Sequence, residues 1–309
     1  MITKKIINYS LILLLTHFSV LFADINVSEV ENYLEQEIYL RLTNGDNFTC
    51  VLKEAQMEND SLFYITIQTK IGKTKVYSNE IAELIPQQSL NRQSNRIYLL
   101  PTAEPISNNH FISNYEVLFF YGGIGITDYV SITAGRSLIP NTPGEYQISE
   151  LNAKATVYRQ YWESMVGDMS IAVGANQIWL NSYNQLTHLY SALTFRTAKS
   201  VFTGAVFTKL GAKDVYDFKM SNGFDIASYP FVYENGDFGL ALGLDTRLSQ
   251  WKDIRIIGEL WNSSIAQPSN TGVLLGVRLA NTKFSADFGL AFFTSPILLP
   301  FTSFAWTPF

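Results

Sequence analysis

The sequence predicts an all-β protein: a closed antiparallel transmembrane β-barrel of about 12 strands, with 10 as the alternative, preceded by a small five-stranded barrel. Three observations lead there. The chain is 47% hydrophobic and only 16% charged, so it hides a large apolar area. Yet no window after residue 23 holds the roughly 18 to 20 uninterrupted apolar residues that a membrane helix requires. Aromatics make up 14% of the chain, with 21 Phe and 17 Tyr, and segments of about ten residues in the last two thirds alternate apolar with small or polar side chains.

The elements follow in order. Residues 1–23 read as a signal peptide: Lys4 and Lys5 precede the apolar run IINYSLILLLTHFSVLFA, which has the length of a secretory core and the wrong flanks for an anchor. Cleavage after Ala23 would start the mature chain at Asp24, although Leu21 is less usual than Ala three positions before a cut; a retained N-terminal anchor is the alternative. In the leader 24–36, Val27, Val30, Tyr33 and Leu34 have helix-like spacing, which fits a short helix or an irregular segment equally. The single cysteine, Cys50, excludes a disulfide framework, and without a neighbouring His it reads as a buried structural thiol.

From residue 37 to 86 the chain reads as short strands: EIYLRLT, NFTCVLK, LFYITIQT, TKVYS and EIAELIP. Asn44-Gly45 at the first connection is a strong hairpin signal because both residues tolerate positive φ. This run of hydrophobics and turns resembles the Sm-like and SH3-like barrels. The RNA-binding role of Sm proteins does not carry over, because residues 24–86 hold 5 Lys or Arg against 11 Asp or Glu, a net charge of −6. Residues 87–309 hold 15 against 16, so nucleic-acid binding is disfavoured there too. The stretch QQSLNRQSNR at 87–96 is polar and aperiodic, as a linker should be.

The second domain, 97–309, carries the alternation. In KFSADFGLAFF, Phe284, Ala286, Phe288, Leu290 and Phe292 share one face while Lys283, Ser285 and Asp287 share the other. Phe238, Leu240, Leu242 and Leu244 likewise oppose Asp237, Asp245 and Arg247; Val273, Leu275, Val277 and Leu279 oppose Arg278; Ile254, Ile256 and Leu260 oppose Asp253, Arg255 and Glu259. Less sharply, Leu151, Ala153, Ala155 and Val157 oppose Asn152, Lys154, Thr156 and Tyr158. Hydrocarbon offers no hydrogen-bond partner, so a sheet can cross it only if it closes on itself. On that geometry the Leu, Val and Phe faces meet lipid. Asp237, Asp245, Arg247, Asp253, Arg255, Glu259, Arg278 and Asp287 form a mixed-sign luminal network among small residues that suit a crowded interior.

Tyr115, Phe119, Tyr121, Trp179, Trp251, Trp261 and Trp306 fall near strand ends, where amphipathic rings favour a membrane interface. The chain finishes LPFTSFAWTPF. With Phe304, Trp306 and the terminal Phe309, this is similar to the C-terminal signature that the barrel assembly machinery recognises; Pro308 departs from the usual pattern.

The stretch RIYLLPTAEPISNNHFISNYEVLFFYGGIGITDYVSITAG resembles the opening of a family of gram-negative outer-membrane β-barrel proteins without an established activity. Arg96, Pro101, Thr102, Ala103, Gly125, Ile126, Thr127, Asp128, Ser131, Ile132 and Gly135 carry the match. The resemblance implies a β-barrel resident in the bacterial outer membrane, with a small N-terminal segment and no established activity. The leading reading is a narrow pore or an envelope structural protein, with outer-membrane lipid and the assembly machinery as partners and an acidic periplasmic module that docks to another envelope protein.

Two other readings stay open. A barrel hydrolase would use His188, one of two histidines beyond the signal segment, as base; it shares luminal parity with Tyr190, Thr194 and Arg196, but no nucleophile motif surrounds it. A secreted soluble β-sandwich with a binding role is the other. One cysteine and scattered histidines give no metal spacing, and GGIGI at 122–126 precedes no helix that could cradle phosphate, so no cofactor is expected.

Overall fold

In the computed structural model the described residues are 27–59, 62–87, 93–162, 167–181, 184–197, 199–211, 215–221, 226–232, 238–248, 254–293 and 298–307. The signal segment with its cleavage site, and Asp237, Trp251, Asp253 and Phe309, lie outside them. The chain forms two compact units, one ending at Pro86 and the other comprising Gln87–Trp162 and Gly167–Phe309.

The first unit opens with a helical turn, α1 (Val27–Val30), continued by a 3-10 turn over Glu31–Tyr33, which settles the leader as helical where it is described. Five strands follow: β1 (Glu37–Leu42), β2 (Asn47–Met57), β3 (Phe63–Gln68), β4 (Lys73–Tyr77) and β5 (Ile81–Pro86). They make one antiparallel sheet in the order β4-β3-β2-β1-β5. The first hairpin connection is four residues long, Thr43 to Asp46, rather than a two-residue Asn-Gly turn, because the ladder ends at the Arg41–Asn47 pair. Gly45 takes the left-handed φ of 96°, and the Asn44 side chain accepts the Asp46 N–H at 3.0 Å. Ile38, Leu40, Leu52, Ile65, Ile67 and Ile85 form the core, and Cys50 is buried with them.

The second unit is a closed antiparallel barrel of twelve strands. They are β6 (Phe111–Glu116), β7 (Phe119–Gly125), β8 (Val130–Ser137), β9 (Ser149–Trp162), β10 (Gly167–Asn181), β11 (Asn184–Thr197), β12 (Ser200–Leu210), β15 (Phe238–Arg247), β16 (Ile254–Asn262), β17 (Thr271–Ala280), β18 (Phe284–Phe293) and β19 (Leu298–Trp306). Each pairs with its neighbour, and β19 closes on β6 through four residue pairs, Ser303–Glu116 to Trp306–Ser113. Closure leaves no edge of unpaired N–H and C=O groups. The sequence segments VYDFKM and YPFVY become a separate two-stranded ribbon, β13 (Val215–Ser221) with β14 (Ile226–Val232), inserted between β12 and β15.

Because strands alternate in direction, β6 begins and β19 ends at the same end of the barrel, called here the near end. The connection 138–148 and the ribbon-bearing connection after β12 lie at the far end. Burial alternates residue by residue, as in the pattern eBeBeBiBiB of β15 (e exposed, B buried, i intermediate). The pattern breaks on β9: a bulge in its pairing with β10, between Ile171 and Ala172, turns Tyr158 out to the exposed face although sequence parity puts it with Lys154. On the outer face at the near end, Phe284 stacks on Phe304 with ring centroids 5.4 Å apart, and Phe111 meets Trp306 edge-on at 5.6 Å. Tyr121 and the partly buried Phe119 and Trp261 point inward instead, so these three are not part of an outer aromatic girdle.

Candidate functional site: a hairpin held inside the barrel

The end of the polar stretch 87–96 and the start of the second domain do not form a wall strand. The first wall strand starts only at Phe111, and residues 93–107 enter the lumen from the near end, turn and return. Arg96 and Pro101 form an antiparallel bridge, the Ile97 N–H donates to the Leu100 carbonyl at 2.9 Å, and the Thr102 N–H donates to the Asn95 carbonyl at 3.1 Å. The result is a tight hairpin with Tyr98 and Leu99 at its tip. Pro101 suits the return leg because it lacks the N–H that a continued strand would need.

The barrel wall binds this hairpin mainly through its backbone. Glu259 of β16, about midway along its strand, accepts the N–H groups of Tyr98 at 2.6 Å and of Leu99 and Leu100 at 3.0 Å each. Three successive N–H groups on one carboxylate form an anion nest turned inside out, with the protein's own side chain as the anion. Lys154 of β9 donates to the carbonyls of Asn95 and Thr102 at 2.8 Å and of Glu104 at 2.5 Å, so a buried ammonium spends its three protons on main-chain oxygens. Thr194 of β11 accepts the Ala103 N–H at 2.7 Å, and Thr156 donates to the Ala103 carbonyl at 2.6 Å. Two ion pairs add to these: Arg96 with Glu116, where the guanidinium also lies 3.6 Å from the Tyr121 ring centre, and Glu104 with Arg196.

Apolar packing complements the polar grip. Ile97 and Tyr98 lie among Val201, Ile257, Leu274 and Phe301, with the Tyr98 and Phe301 rings 4.3 Å apart. Leu100 and Ala103 pack on Ala172, Ala192, Ala205 and Ala241, and a Cβ on Gly243 would come within 2.8 Å of Leu100. The small inward residues therefore have a specific reason: they leave the room the hairpin occupies. Gly125 is the tightest case, because a Cβ there would lie 2.1 Å from the Ser107 carbonyl oxygen.

Beside the hairpin sits a buried charge network. Arg278 is 0% exposed and forks onto Asp287 at 2.7 and 2.8 Å, reaches Asp245 at 2.7 Å, and donates to the Ile97 carbonyl. Arg255 pairs with Asp245, and Ser303 donates to Asp287 at 3.0 Å. Arg247 is buried as well. On the outer face Phe238, Leu240, Leu242, Leu275, Val277, Leu279, Phe284, Phe288, Leu290, Phe292, Phe304 and Trp306 are exposed, while Leu244 and Val273 are half-buried. Parity reasoning did not single out Arg96, Glu104 and Glu116 as interior charges. The usable signal was an Arg and a Glu flanking an apolar Pro-containing run too short to span, which suits an internal turn as well as a strand.

At the far mouth the β13–β14 ribbon places Tyr216 against Leu186, Ile178 and Leu180, with the Lys209 ammonium 5.1 Å from its ring centre. Asn184 donates to the Asp217 carbonyl at 3.0 Å. His188 faces inward with its ring edge-on to Phe207 at 5.9 Å. Among the described residues no group of three or more His, Cys, Asp or Glu is placed to hold a metal ion. No helix of the described residues is long and apolar enough to cross a membrane, which does not bear on crossing by strands.

No protein-family model matches the chain, and no curated protein matches its sequence. Solved structures with distant similarity are outer-membrane proteins. The KdgM porin, solved in complex with disordered oligogalacturonate, is 8% identical with a TM-score of 0.37, covering 64% of this chain and 95% of its own. OprD from Pseudomonas aeruginosa is 8% identical with a TM-score of 0.34, covering 89% of this chain and 93% of its own. OccK5 (OpdH) of the same organism is 10% identical with a TM-score of 0.33, covering 89% of this chain and 98% of its own.

Proposed function

We propose that this chain is a bacterial outer-membrane β-barrel that acts as a narrow pore, closed in the present state by its own hairpin. The observation that carries the reading is the two-faced wall: twelve strands close completely, with large apolar side chains outward and ionised ones inward. In water that outer face would expose far more contiguous apolar surface than a soluble monomer tolerates, and a sandwich would have packed it against a second sheet. In a bilayer the same face is solvated by lipid, and strands of about ten residues match the tilted crossing length. The signal segment 1–23 and the C-terminal residues Phe304, Trp306 and Phe309 supply export and recognition by the barrel assembly machinery. The acidic first unit, with its sheet order β4-β3-β2-β1-β5, acts as an SH3-like periplasmic module that docks to another envelope protein.

Cell fractionation, followed by electrophoresis of the detergent-extracted outer membrane with and without boiling, tests the reading. A heat-dependent mobility shift in that fraction is expected, with conductance in planar bilayers as the next measurement. Recovery of the protein in buffer without detergent would overturn it.

A further inference from the structure

Building on the pore reading above, we propose that the hairpin Gln93–Ser107 is a removable gate, and that the lumen it vacates is a charge-lined conduit for small ions and polar solutes. Three features carry this. Both legs lie at the near end: Gln93 accepts from Ser285 at the start of β18, and Asn108 bridges to Gly125 at the end of β7. The hairpin can therefore withdraw as a unit without threading through the wall.

The grip is mostly exchangeable. Glu259, Lys154, Thr194, Arg278, Arg196 and Glu116 each hold the hairpin by a hydrogen bond or ion pair that water can replace once the lumen is wet. Finally, the wall beside Leu100 and Ala103 is built of Ala172, Ala192, Ala205, Ala241 and Gly243, which are themselves too small to fill the space those residues leave. The mixed signs of Glu116, Glu259, Lys154, Arg196 and Arg278 predict weak selectivity between anions and cations. The leg beginning at Gln93 follows the first unit in the chain, so a partner that binds that unit has a covalent handle on the gate.

The test uses full-length protein in planar bilayers, in a Cys50→Ser background. Ala103→Cys with Thr194→Cys should lock the hairpin, since the Ala103 N–H lies 2.7 Å from the Thr194 hydroxyl. Glu259→Gln with Arg196→Gln should loosen it. Loss of charge-assisted hydrogen bonds corresponds to a rise in open probability of about tenfold or more for the loosened protein. The locked protein should be silent until reductant restores the parental openings. Failure of the crosslink to form under oxidation, or equal conductance in locked, reduced and loosened proteins, overturns the gate and leaves the pore reading intact. A heat-modifiable barrel that never conducts, even with residues 94–106 deleted, overturns the pore reading and the gate with it. Absence of a heat-modifiable barrel overturns the membrane reading itself.

Discussion

Replacing Arg278 with Ala should be among the most damaging single changes in the barrel. The side chain is fully buried and gives two donors to Asp287, one to Asp245 and one to the Ile97 carbonyl. In its absence Asp245 keeps Arg255, but Asp287, itself 1% exposed, is left with the Ser303 hydroxyl, and the Ile97 carbonyl loses this donor. Removing one partner of a buried ion pair costs about 3–5 kcal/mol, chiefly because the other charge stays buried. Arg278→Lys keeps the charge but replaces a planar fork by a point donor, with an expected cost of about 1–3 kcal/mol. The pair Arg278→Met with Asp287→Leu removes the orphaned carboxylate and leaves Asp245 balanced by Arg255, so it should cost less than Arg278→Ala alone. Urea unfolding of vesicle-reconstituted protein, followed by tryptophan fluorescence and by the heat-modifiable band, measures all three. A loss below about 1 kcal/mol for Arg278→Ala, or a double variant weaker than the single, would refute the network described here.

The remaining expectations are shorter. Leu275 is 55% exposed on the outer face of β17, and Leu275→Lys should cost about 2–4 kcal/mol if lipid covers it. Ile71, 100% exposed in the first unit, should tolerate Lys within about 0.5 kcal/mol, so equal effects at the two sites in a vesicle assay would contradict a lipid-facing wall. Gly125→Ala would press a methyl group on the Ser107 and Ile106 carbonyl oxygens, 2.1 and 2.3 Å away, and should cost about 1–3 kcal/mol in the same unfolding assay. Burial pushes the Cys50 thiol up from 9.0 to about 11. The folded pKa exceeds the unfolded one, so burial of the neutral thiol contributes stability that is intact below pH 9 and is lost as pH rises toward 11. At pH 8 Cys50 should hold roughly a hundredfold less thiolate than an unburied thiol, and rapid alkylation of native protein at that pH would contradict its burial.

The wall was legible because period-two alternation survives wherever one face is apolar: Phe284 to Phe292 fall on one side of β18 and Ser285, Asp287 and Ala291 on the other. The segments VYDFKM and YPFVY after β12 have the composition of wall strands, and only pairing sets them apart as a ribbon. The inner hairpin was hidden for a sharper reason. RIYLLPTAEP has strand-like residues, and its burial comes from contacts with β9, β11, β16 and β17, whose positions depend on barrel closure. The small luminal residues announced a crowded interior, but nothing local says which segment crowds it. Likewise Tyr158 was misplaced because a bulge is a property of a strand pair rather than of one strand.

The short closing seam between β19 and β6 also sets a chronology. Glu259 grips backbone groups 159 to 161 positions earlier, and the seam that encloses them uses residues 303 to 306, made later still. A segment made early is thus enclosed only once β19 has paired with β6, and until then Lys154, Thr194 and Glu259 can hold it only against an open sheet. Contacts of such range form slowly. Once the seam is shut, escape requires either parting those four pairs or freeing the hairpin through the near mouth, so the finished barrel should persist far longer than its equilibrium stability alone suggests.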